Sequence, residues 1–304
     1  MSDARDGVLI LAGPTASGKT DLAIGLARRF DAEIVGADSR QIYRGMPIGT
    51  AMPSPAQLAA VAHHCIGFLD PSQRYSAARY AADALDAVLA IRGRGKRAIV
   101  VGGTGFYLRA LTGAVELAPQ YDEALRGRLA AEARVHGPEF LYGWLARRDP
   151  QRAVKLHPGD SYRVLRALEI ALAPEARIRE VPLRTLSGEG IAWTTVFLDV
   201  PLDELDARIA RRTASMLRAG LVEEAERIGA SAVAATAVGY PQALAYVRGW
   251  ITQAELRTLL ERATKRYARR QRAWFRGEAG ALWCSPAAVD DVVREKLGWS
   301  ANPV

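Results

Sequence analysis

Near its amino end the chain reads Gly13-Pro14-Thr15-Ala16-Ser17-Gly18-Lys19-Thr20, between the apolar run 8–12 and the amphipathic pattern 21–27. This order predicts a strand, a glycine-bounded loop and a helix, the arrangement of a phosphate-binding loop. The glycines let backbone N–H groups turn towards an anion, and the helix N-terminus adds a positive partial charge. We expect Lys19 to meet an outer phosphate and the Thr20 hydroxyl to ligate Mg²⁺. The alternative is a glycine-rich turn that fits the pattern by chance.

The composition of the chain limits the kinds of protein it can be. With 304 residues, of which 49% are hydrophobic and 24% charged, the chain is typical of a soluble globular protein with one main domain and an insertion or appendage. No apolar run reaches the length of a membrane span and no signal peptide is evident, so we expect a cytoplasmic protein without membrane contact. Cys65 and Cys284 provide neither a disulfide framework nor a metal-binding spacing. The net charge of +8 favours polyanionic partners.

Strands and helices alternate through the first third of the chain, and a further strand follows the middle of the chain. Apolar runs that predict strands lie at 8–12, 32–36, 97–101 and 193–199, and a long helix is expected over 76–94. Residues 119–180 instead carry helical patterns rich in Arg and Glu, with no confident strand. Apolar runs separated by helices indicate a parallel sheet covered on both faces. We therefore predict an α/β fold, with a P-loop-containing core at 1–118 and 191–304 and a helical insertion domain at 119–190.

A strongly basic segment lies near the carboxyl end. Its basic residues are Arg262, Lys265, Arg266, Arg269, Arg270, Arg272 and Arg276. At about 100° per residue on a helix they fall within an arc of roughly 160°, opposite Tyr267, Trp274 and Phe275. No acidic residue interrupts this basic strip to offset the repulsion among its charges, so we expect an external anion to do so. Nucleic-acid phosphate is the favoured partner, with a solvated helix face and a membrane surface as alternatives.

The phosphate loop and the basic strip occur together with further short motifs, in an order that is specific as a set. These motifs are Asp38–Tyr43, Gly45-Met46-Pro47-Ile48-Gly49-Thr50-Ala51, Asp70-Pro71, Val101-Gly102-Gly103-Thr104-Gly105, Ala167-Leu168-Glu169, Val238-Gly239-Tyr240 and Arg269-Arg270-Gln271-Arg272. With them the chain resembles the tRNA dimethylallyltransferases, also called tRNA isopentenyltransferases, over nearly its whole length. It departs from their pattern at 171–175, where a Gly-Lys is usual, and at Pro241, where Arg or Lys is usual.

The resemblance implies a reaction and its substrates. A dimethylallyl group would pass from dimethylallyl diphosphate to N6 of the adenosine 3′-adjacent to a tRNA anticodon, with release of diphosphate. The loop 13–20 would hold the prenyl diphosphate, with Mg²⁺ as cofactor bound through Thr20 and no nucleotide hydrolysed. Arg212 matches an arginine that reaches the diphosphate, and its planar fork suits paired oxygens. The implied partners are dimethylallyl diphosphate and the tRNA anticodon stem-loop, bound by a monomer.

The same resemblance assigns the chemistry to residues at predicted strand ends. Asp38 would take the proton of the adenine amine; it could instead cap a helix or hold a water-bound Mg²⁺ as in a Walker B motif. Asp199, after another predicted strand, is the competing Walker B candidate. Thr104 follows a Gly-Gly turn that can aim its hydroxyl at a substrate, and its alternative role is a helix N-cap.

Contacts with tRNA are also implied by the resemblance. They are Asp38, Ser39, Arg40, Gln41, Thr104, Arg126, Tyr162, Arg163, Arg166, Arg269, Arg270 and Arg272. Since a stacked adenine cannot reach buried chemistry, we expect the base to be extruded into a channel that leads to Asp38. For the residues of the insertion, an exposed amphipathic helix face is the alternative.

The sequence is also compatible with two other functions. A small-molecule or nucleotide kinase would use the same phosphate loop but has little need of an all-basic helix face. A non-enzymatic RNA-binding switch would need no base at Asp38. The pair His63-His64 beside Cys65 is interpreted as structural, because adjacent histidines point apart on any regular element.

Overall fold

A computed structural model describes residues 7–115, 117, 122–173 and 184–301 of the chain. Its strands are β1 (Val8–Ala12), β2 (Ala32–Ala37), β3 (His63–His64), β4 (Arg97–Gly102), β5 (Trp193–Leu198) and β6 (Leu282–Cys284). Its helices before β5 are α1 (Lys19–Arg29), α2 (Pro55–Ala60), α3 (Ala77–Gly93), α4 (Gly105–Thr112), α5 (Glu123–His136), α6 (Pro138–Arg148), α7 (Pro150–Ala153) and α8 (Ser161–Leu172). Those after β5 are α9 (Leu202–Arg218), α10 (Leu221–Ile228), α11 (Tyr240–Val247), α12 (Gln253–Arg276) and α13 (Val289–Leu297).

The strands form one parallel sheet in the order β3-β2-β4-β1-β5-β6. β1 is central, because Ile10 is in register with Val100 of β4 on one side and with Thr195 of β5 on the other. The predicted α/β fold, a parallel sheet flanked by helices, is confirmed.

Both faces of the sheet are buried. Every residue of β1 is buried, and its side chains alternate between two hydrophobic clusters. Ile10 belongs to the cluster formed with α3 and α4, and Leu11 to the cluster formed with α1 and α13. Burial on both sides explains why β1 appears in the sequence as a continuous apolar run and not as an alternating pattern.

The chain divides into two compact units. The first comprises Met1–Val115 and Arg184–Val304, and the second comprises Glu116–Leu183. Within the second unit the described residues 122–173 form helices and connecting turns and no strand. Its core is built from Leu129, Leu141, Leu145, Val164 and Leu168. The predicted boundary at 118–119 lies outside the described residues.

Several local expectations can be compared directly with the structure. The predicted strands are present with ends that differ by about one residue. Ser76 caps α3 by accepting a hydrogen bond from the backbone N–H of Arg79 at 3.1 Å. Pro241 lies in the first turn of α11, where its missing N–H removes no helical hydrogen bond. The other departure, at 171–175, reaches residues 174 and 175, which lie outside the described residues.

The histidine pair forms the edge strand β3. His63 Nδ1 lies 2.7 Å from Val61 O, and His64 Nε2 lies 2.8 Å from Glu33 Oε2, so both rings have structural partners. Among the residues that the structure describes, no group of three or more His, Cys, Asp or Glu side chains could hold a metal. Burial raises the pKa of the adjacent Cys65 to about 12, which keeps its thiol protonated. The described ranges also contain no helix that is both long and apolar enough to cross a bilayer.

Candidate active site

Four loops meet at the carboxyl edge of the sheet. Gly13 follows β1, Asp38 follows β2, Gly103 follows β4 and Asp199 follows β5. In open parallel sheets, ligands bind outside this edge, where the strands end and the loops spread apart. The topology therefore brings together motifs that are far apart in the sequence.

The phosphate loop, residues 13–18, has the backbone of an anion cradle. Gly18 at φ 86° and Ala16 at φ 66° adopt left-handed conformations, which give the backbone the concave shape that turns N–H groups towards an anion. A Cβ on Gly13 would lie 2.8 Å from Ser17 Oγ, so a side chain there would intrude on the loop. The Ser17 hydroxyl is buried and makes no hydrogen bond to any described residue. Because buried polar groups are normally paired, this orphan hydroxyl indicates that ligand oxygens complete the loop.

Two cations and one carboxylate lie within electrostatic reach of one another at this loop. Lys19 folds back so that its Nζ lies 3.4 Å from Pro14 O. Burial lowers the pKa of Lys19 to about 8, with Asp38 opposing the fall and Arg212 adding to it. Burial also lowers the pKa of Arg212, again opposed by Asp38. The site thus places a possible proton acceptor next to two groups that attract an anion.

Helix α9 contributes two arginines to the phosphate loop. Arg212 Nη1 donates to the Thr15 hydroxyl at 3.0 Å, and Arg208 Nη1 donates to Ser17 O at 3.0 Å. Sequence reasoning predicts a role for Arg212 and misses Arg208. The signal was present, because Arg208 precedes Arg212 by one helical turn and residues so spaced share a face.

Thr104 fixes the loop that carries Asp38. Its hydroxyl accepts a hydrogen bond from the backbone N–H of Ser39 at 3.0 Å and donates to Ser39 Oγ at 3.3 Å. Thr104 stands at the N-cap position of α4, as its alternative role predicts, although its side chain makes no capping hydrogen bond and binds Ser39 instead. Asp38 Oδ1 accepts from the backbone N–H of Arg40 at 2.9 Å, inside a turn that no helix follows directly. The helix-capping alternative for Asp38 was therefore wrong.

Gln41, predicted to read the target base, is tied to its own loop. Its Nε2 donates to Thr50 O at 3.2 Å and to Ala51 O at 2.9 Å. These bonds fix the orientation of the side-chain amide and leave Oε1 as its remaining acceptor. The structure therefore gives Gln41 a role in holding the loop, and its contact with RNA stays a prediction.

The basic strip on α12 has acidic partners on other elements. Lys265 Nζ lies 3.3 Å from Asp206 Oδ2 of α9, and Arg269 Nη2 lies 3.5 Å from the same oxygen. The expectation that no acidic residue offsets the repulsion was wrong, because Asp206 is remote in sequence and only the fold brings it there. Arg269 still has 59% of its side chain exposed, and Arg270 is exposed beside the Tyr267 ring.

Arg272 differs from the other arginines of the strip. Its Nη2 lies 3.0 Å from Asp199 Oδ1, its Nη1 donates to Val200 O at 2.6 Å, and only 13% of its side chain is exposed. Asp199, the competing Walker B candidate, is therefore occupied by an ion pair. Arg272 joins α12 to the end of β5, and its predicted contact with tRNA is untested.

The four predicted residues of the insertion lie together in the helical unit. Arg126 of α5 and Arg166 of α8 both bind Glu169, at 3.1 and 3.0 Å, and Glu169 is only 3% exposed. The Arg126 guanidinium lies 5.4 Å from the centre of the Tyr162 ring, and Arg163 is exposed on α8. The buried Glu169 thus orients two arginines through ion pairs. The sequence motif 167–169 does not reveal this role.

The sequence matches a known protein family over most of its length. The sequence model described as IPP transferase matches residues 41–278. A tRNA dimethylallyltransferase of Anaeromyxobacter sp. (strain Fw109-5) is 44% identical over 94% of this chain and 97% of its own length. The chain belongs to the IPP transferase family. A second member, the tRNA dimethylallyltransferase of Geobacter sulfurreducens, is 38% identical over 96% of both chains.

Solved structures of the IPP transferase family share the fold. The tRNA isopentenylpyrophosphate transferase of Bacillus halodurans has a TM-score of 0.70 at 32% identity, covering 96% of this chain and 97% of the other. A eukaryotic dimethylallyltransferase acting on tRNA has a TM-score of 0.69 at 23% identity, covering 94% of this chain and 77% of the other. At this identity the similarity shows a shared fold and nothing more.

The phosphate loop offers an oxygen ligand for the Mg²⁺ ion that the sequence predicts. The Thr20 hydroxyl stands in the first turn of α1 and makes no hydrogen bond to another described residue. Mg²⁺ is typically bound by few protein oxygens together with substrate phosphates, so a single hydroxyl in this loop is compatible with the ion, whose binding stays a prediction.

Proposed function

We propose that this IPP transferase transfers the dimethylallyl group of dimethylallyl diphosphate to N6 of the adenosine 3′-adjacent to the anticodon of a tRNA, releasing diphosphate. The observation that carries the proposal is the position of Asp38 beside Lys19 and Arg212 at the phosphate loop. The cations suit a diphosphate and the carboxylate suits a group that loses a proton. The name tRNA dimethylallyltransferase, carried by the Anaeromyxobacter and Geobacter relatives, supports this choice of substrates.

The proposed reaction is a displacement at carbon. The N6 lone pair forms a bond to C1 of the dimethylallyl group while the C1–O bond breaks, and the electron pair of that bond leaves with the diphosphate. Negative charge grows on the diphosphate, where the loop N–H groups, Lys19 and Arg212 stabilise it. Asp38 accepts the proton that N6 loses, which contributes a factor of about 10² to 10⁴ in rate. Mg²⁺ bound through Thr20 would neutralise further charge on the leaving group.

The tRNA would be held by positive side chains of α12, outside the phosphate loop. Arg269 and Arg270 are exposed on α12, and this helix also carries Tyr267, whose pKa is raised by burial and by the nearby Asp38 carboxylate. Phosphates bound along α12 would therefore lie near the adenine whose proton Asp38 accepts. This adenine would be extruded from its stack towards Asp38. We place this reaction in the cytoplasm and expect the enzyme to act as a monomer.

The decisive experiment is a transfer assay with dimethylallyl diphosphate labelled in the prenyl group and an unmodified tRNA transcript, without ATP. The proposal expects label in the tRNA, on the adenosine 3′ of the anticodon, and one diphosphate released for each group transferred. ATP-dependent phosphorylation of a small molecule or nucleotide, with no label in tRNA, would overturn the proposal in favour of a kinase. Asp38→Ala should bind tRNA and transfer no label; unimpaired transfer by this variant would remove Asp38 from the mechanism.

A further inference from the structure

Gln271 is the one uncharged residue in the stretch Arg269-Arg270-Gln271-Arg272, and it points away from solvent. It is 6% exposed and lies on the inward face of α12, one turn before the buried Phe275. A buried primary amide must find partners for both its donor and its acceptor, since each unpaired group costs free energy. The two partners of Gln271 belong to different loops of the active site.

The acceptor of Gln271 binds the phosphate loop. Its Oε1 accepts a hydrogen bond from the backbone N–H of Thr15 at 2.8 Å. The Thr15 hydroxyl is held separately by Arg212, so this residue is fixed through both its main chain and its side chain. The Thr15 N–H is therefore engaged within the protein. So is the Ser17 N–H, which donates to Pro14 O at 3.2 Å, and the loop 13–20 stays the predicted diphosphate site through its other N–H groups.

The donor of Gln271 binds the turn that precedes Thr104. Its Nε2 donates to Gly103 O at 2.9 Å, and a Cβ on Gly103 would lie 2.2 Å from that nitrogen. Only glycine permits this approach. Because one partner is an N–H and the other a carbonyl, the amide can make both bonds in one orientation alone. Thr104 in turn binds Ser39, beside Asp38.

We propose that Gln271 is the positioning residue that aligns the diphosphate loop with the Thr104–Asp38 side of the site, and that links both to α12. This inference rests on the proposed function and deepens it. Since Arg269 and Arg270 immediately precede Gln271 on the same helix, a tRNA bound to them and a diphosphate in the loop act on one shared side chain. Tighter positioning of α12 by tRNA therefore changes the affinity for diphosphate, and linkage requires the reverse effect to be equal.

The test uses three variants of the full chain. Gln271→Met keeps the volume and removes both hydrogen bonds, and Gln271→Glu keeps the acceptor for Thr15 but opposes Gly103 O with a second oxygen. Phe275→Leu is the matched control, because it loosens the core packing of the same helix and removes no hydrogen bond to either loop. We expect both Gln271 variants to raise the Kd for inorganic diphosphate, and the KM for dimethylallyl diphosphate, about tenfold or more. Phe275→Leu should lower Tm with little change in either constant.

Measuring Tm together with the Kd and the KM distinguishes a positioning role of Gln271 from a purely stabilising one. If the Gln271 variants lower Tm as Phe275→Leu does and leave both constants within about twofold of the unsubstituted protein, the positioning role is overturned. Unmodified tRNA should change the diphosphate Kd of the unsubstituted protein and have no such effect on Gln271→Met; equal effects on both would overturn the link through Gln271. Diphosphate binding is measured without turnover, so this test decides even if the prenyl-transfer assay itself fails.

Discussion

The carboxylate of Glu224 accepts a hydrogen bond from the backbone N–H of Gly49 at 2.7 Å. It also accepts the N–H of Ile48 at 3.0 Å and the hydroxyl of Tyr240 at 2.7 Å. A Cβ on Gly49 would lie 2.6 Å from the Tyr240 ring, so the glycine is required by this close approach. One buried acid on α10 thus joins the motif 45–51 to the motif 238–240, and the first of these supplies the carbonyls that hold Gln41.

Replacing Glu224 should therefore destabilise the protein. In Glu224→Gln the amide group must present its NH₂ to at least one of the three donors, which leaves a buried donor unpaired. We expect the free energy of unfolding to fall by about 1–3 kcal/mol, measured by denaturant titration. Glu223→Gln, at the exposed neighbouring position, is the control and should change stability by less than about 0.5 kcal/mol. Equal effects of the two substitutions would contradict the role assigned to Glu224.

Asp38 and Asp199 both follow a strand at the carboxyl edge, and their partners separate their roles. Asp199 is paired with Arg272, whereas Asp38 acts electrostatically on Lys19 and Arg212. Asp38→Asn should lower kcat for prenyl transfer by about 10² to 10⁴ while tRNA still binds. Asp199→Asn should retain most of the turnover. Single-turnover rates with saturating tRNA measure both, and a greater loss in Asp199→Asn would exchange the two assignments.

Arg212 is expected to act mainly on the binding of the prenyl donor. Its guanidinium is oriented by the Thr15 hydroxyl, and a lysine cannot reproduce both that hydrogen bond and a forked contact with phosphate oxygens. Arg212→Lys should raise the KM for dimethylallyl diphosphate about tenfold, while Arg211→Lys, at the exposed position beside it, should not. Steady-state kinetics with varied donor gives the comparison. Identical KM values in the two variants would place the diphosphate elsewhere.

Sequence patterning predicts the parts of this fold that depend on short-range order. The strand β1, the phosphate loop and the helix α1 follow one another without a break, so a single motif specifies all three. Ser76 is recognisable as a cap because its partner, Arg79, is three residues away. The strands β3 and β6 escape detection, since two and three residues are too few to show periodicity.

The contacts that complete the site are not predictable in this way because they join distant segments. Gln271 and Thr15 are separated by 256 positions, and nothing in either local sequence indicates the other. Asp206 offsets the charge of Lys265 and Arg269 only because α9 packs along α12. A helical projection of α12 alone therefore overstates how much of its positive charge is left for RNA.

The ion pairs on α12 give a graded prediction for tRNA binding. Arg269 and Arg270 are exposed, so Arg269→Ala and Arg270→Ala should each weaken binding and reduce the slope of log Kd against log salt by about one. Arg272→Ala should instead lower Tm, because it removes the contacts with Asp199 and Val200, and should change the slope little. Filter binding over a salt series gives the slopes. A larger change of slope in Arg272→Ala than in Arg270→Ala would mean that the RNA displaces the Asp199 pair.

We expect Lys19 to set an upper pH limit for diphosphate binding. Its pKa in the protein is lowered to about 8, chiefly by burial, so the ammonium is present below that pH and is lost as the pH rises through it. The Kd for inorganic diphosphate should therefore increase above about pH 8, by up to roughly tenfold per pH unit. Lys19→Arg carries a charge that does not titrate in this range, so its Kd, whatever its value at pH 7, should lack the Lys19-dependent rise. Calorimetric titrations over roughly three pH units centred near pH 8 compare the two proteins, and at each pH both meet the same ionisation state of the ligand. The same rise in both would assign the pH dependence to diphosphate itself and free Lys19 from this role.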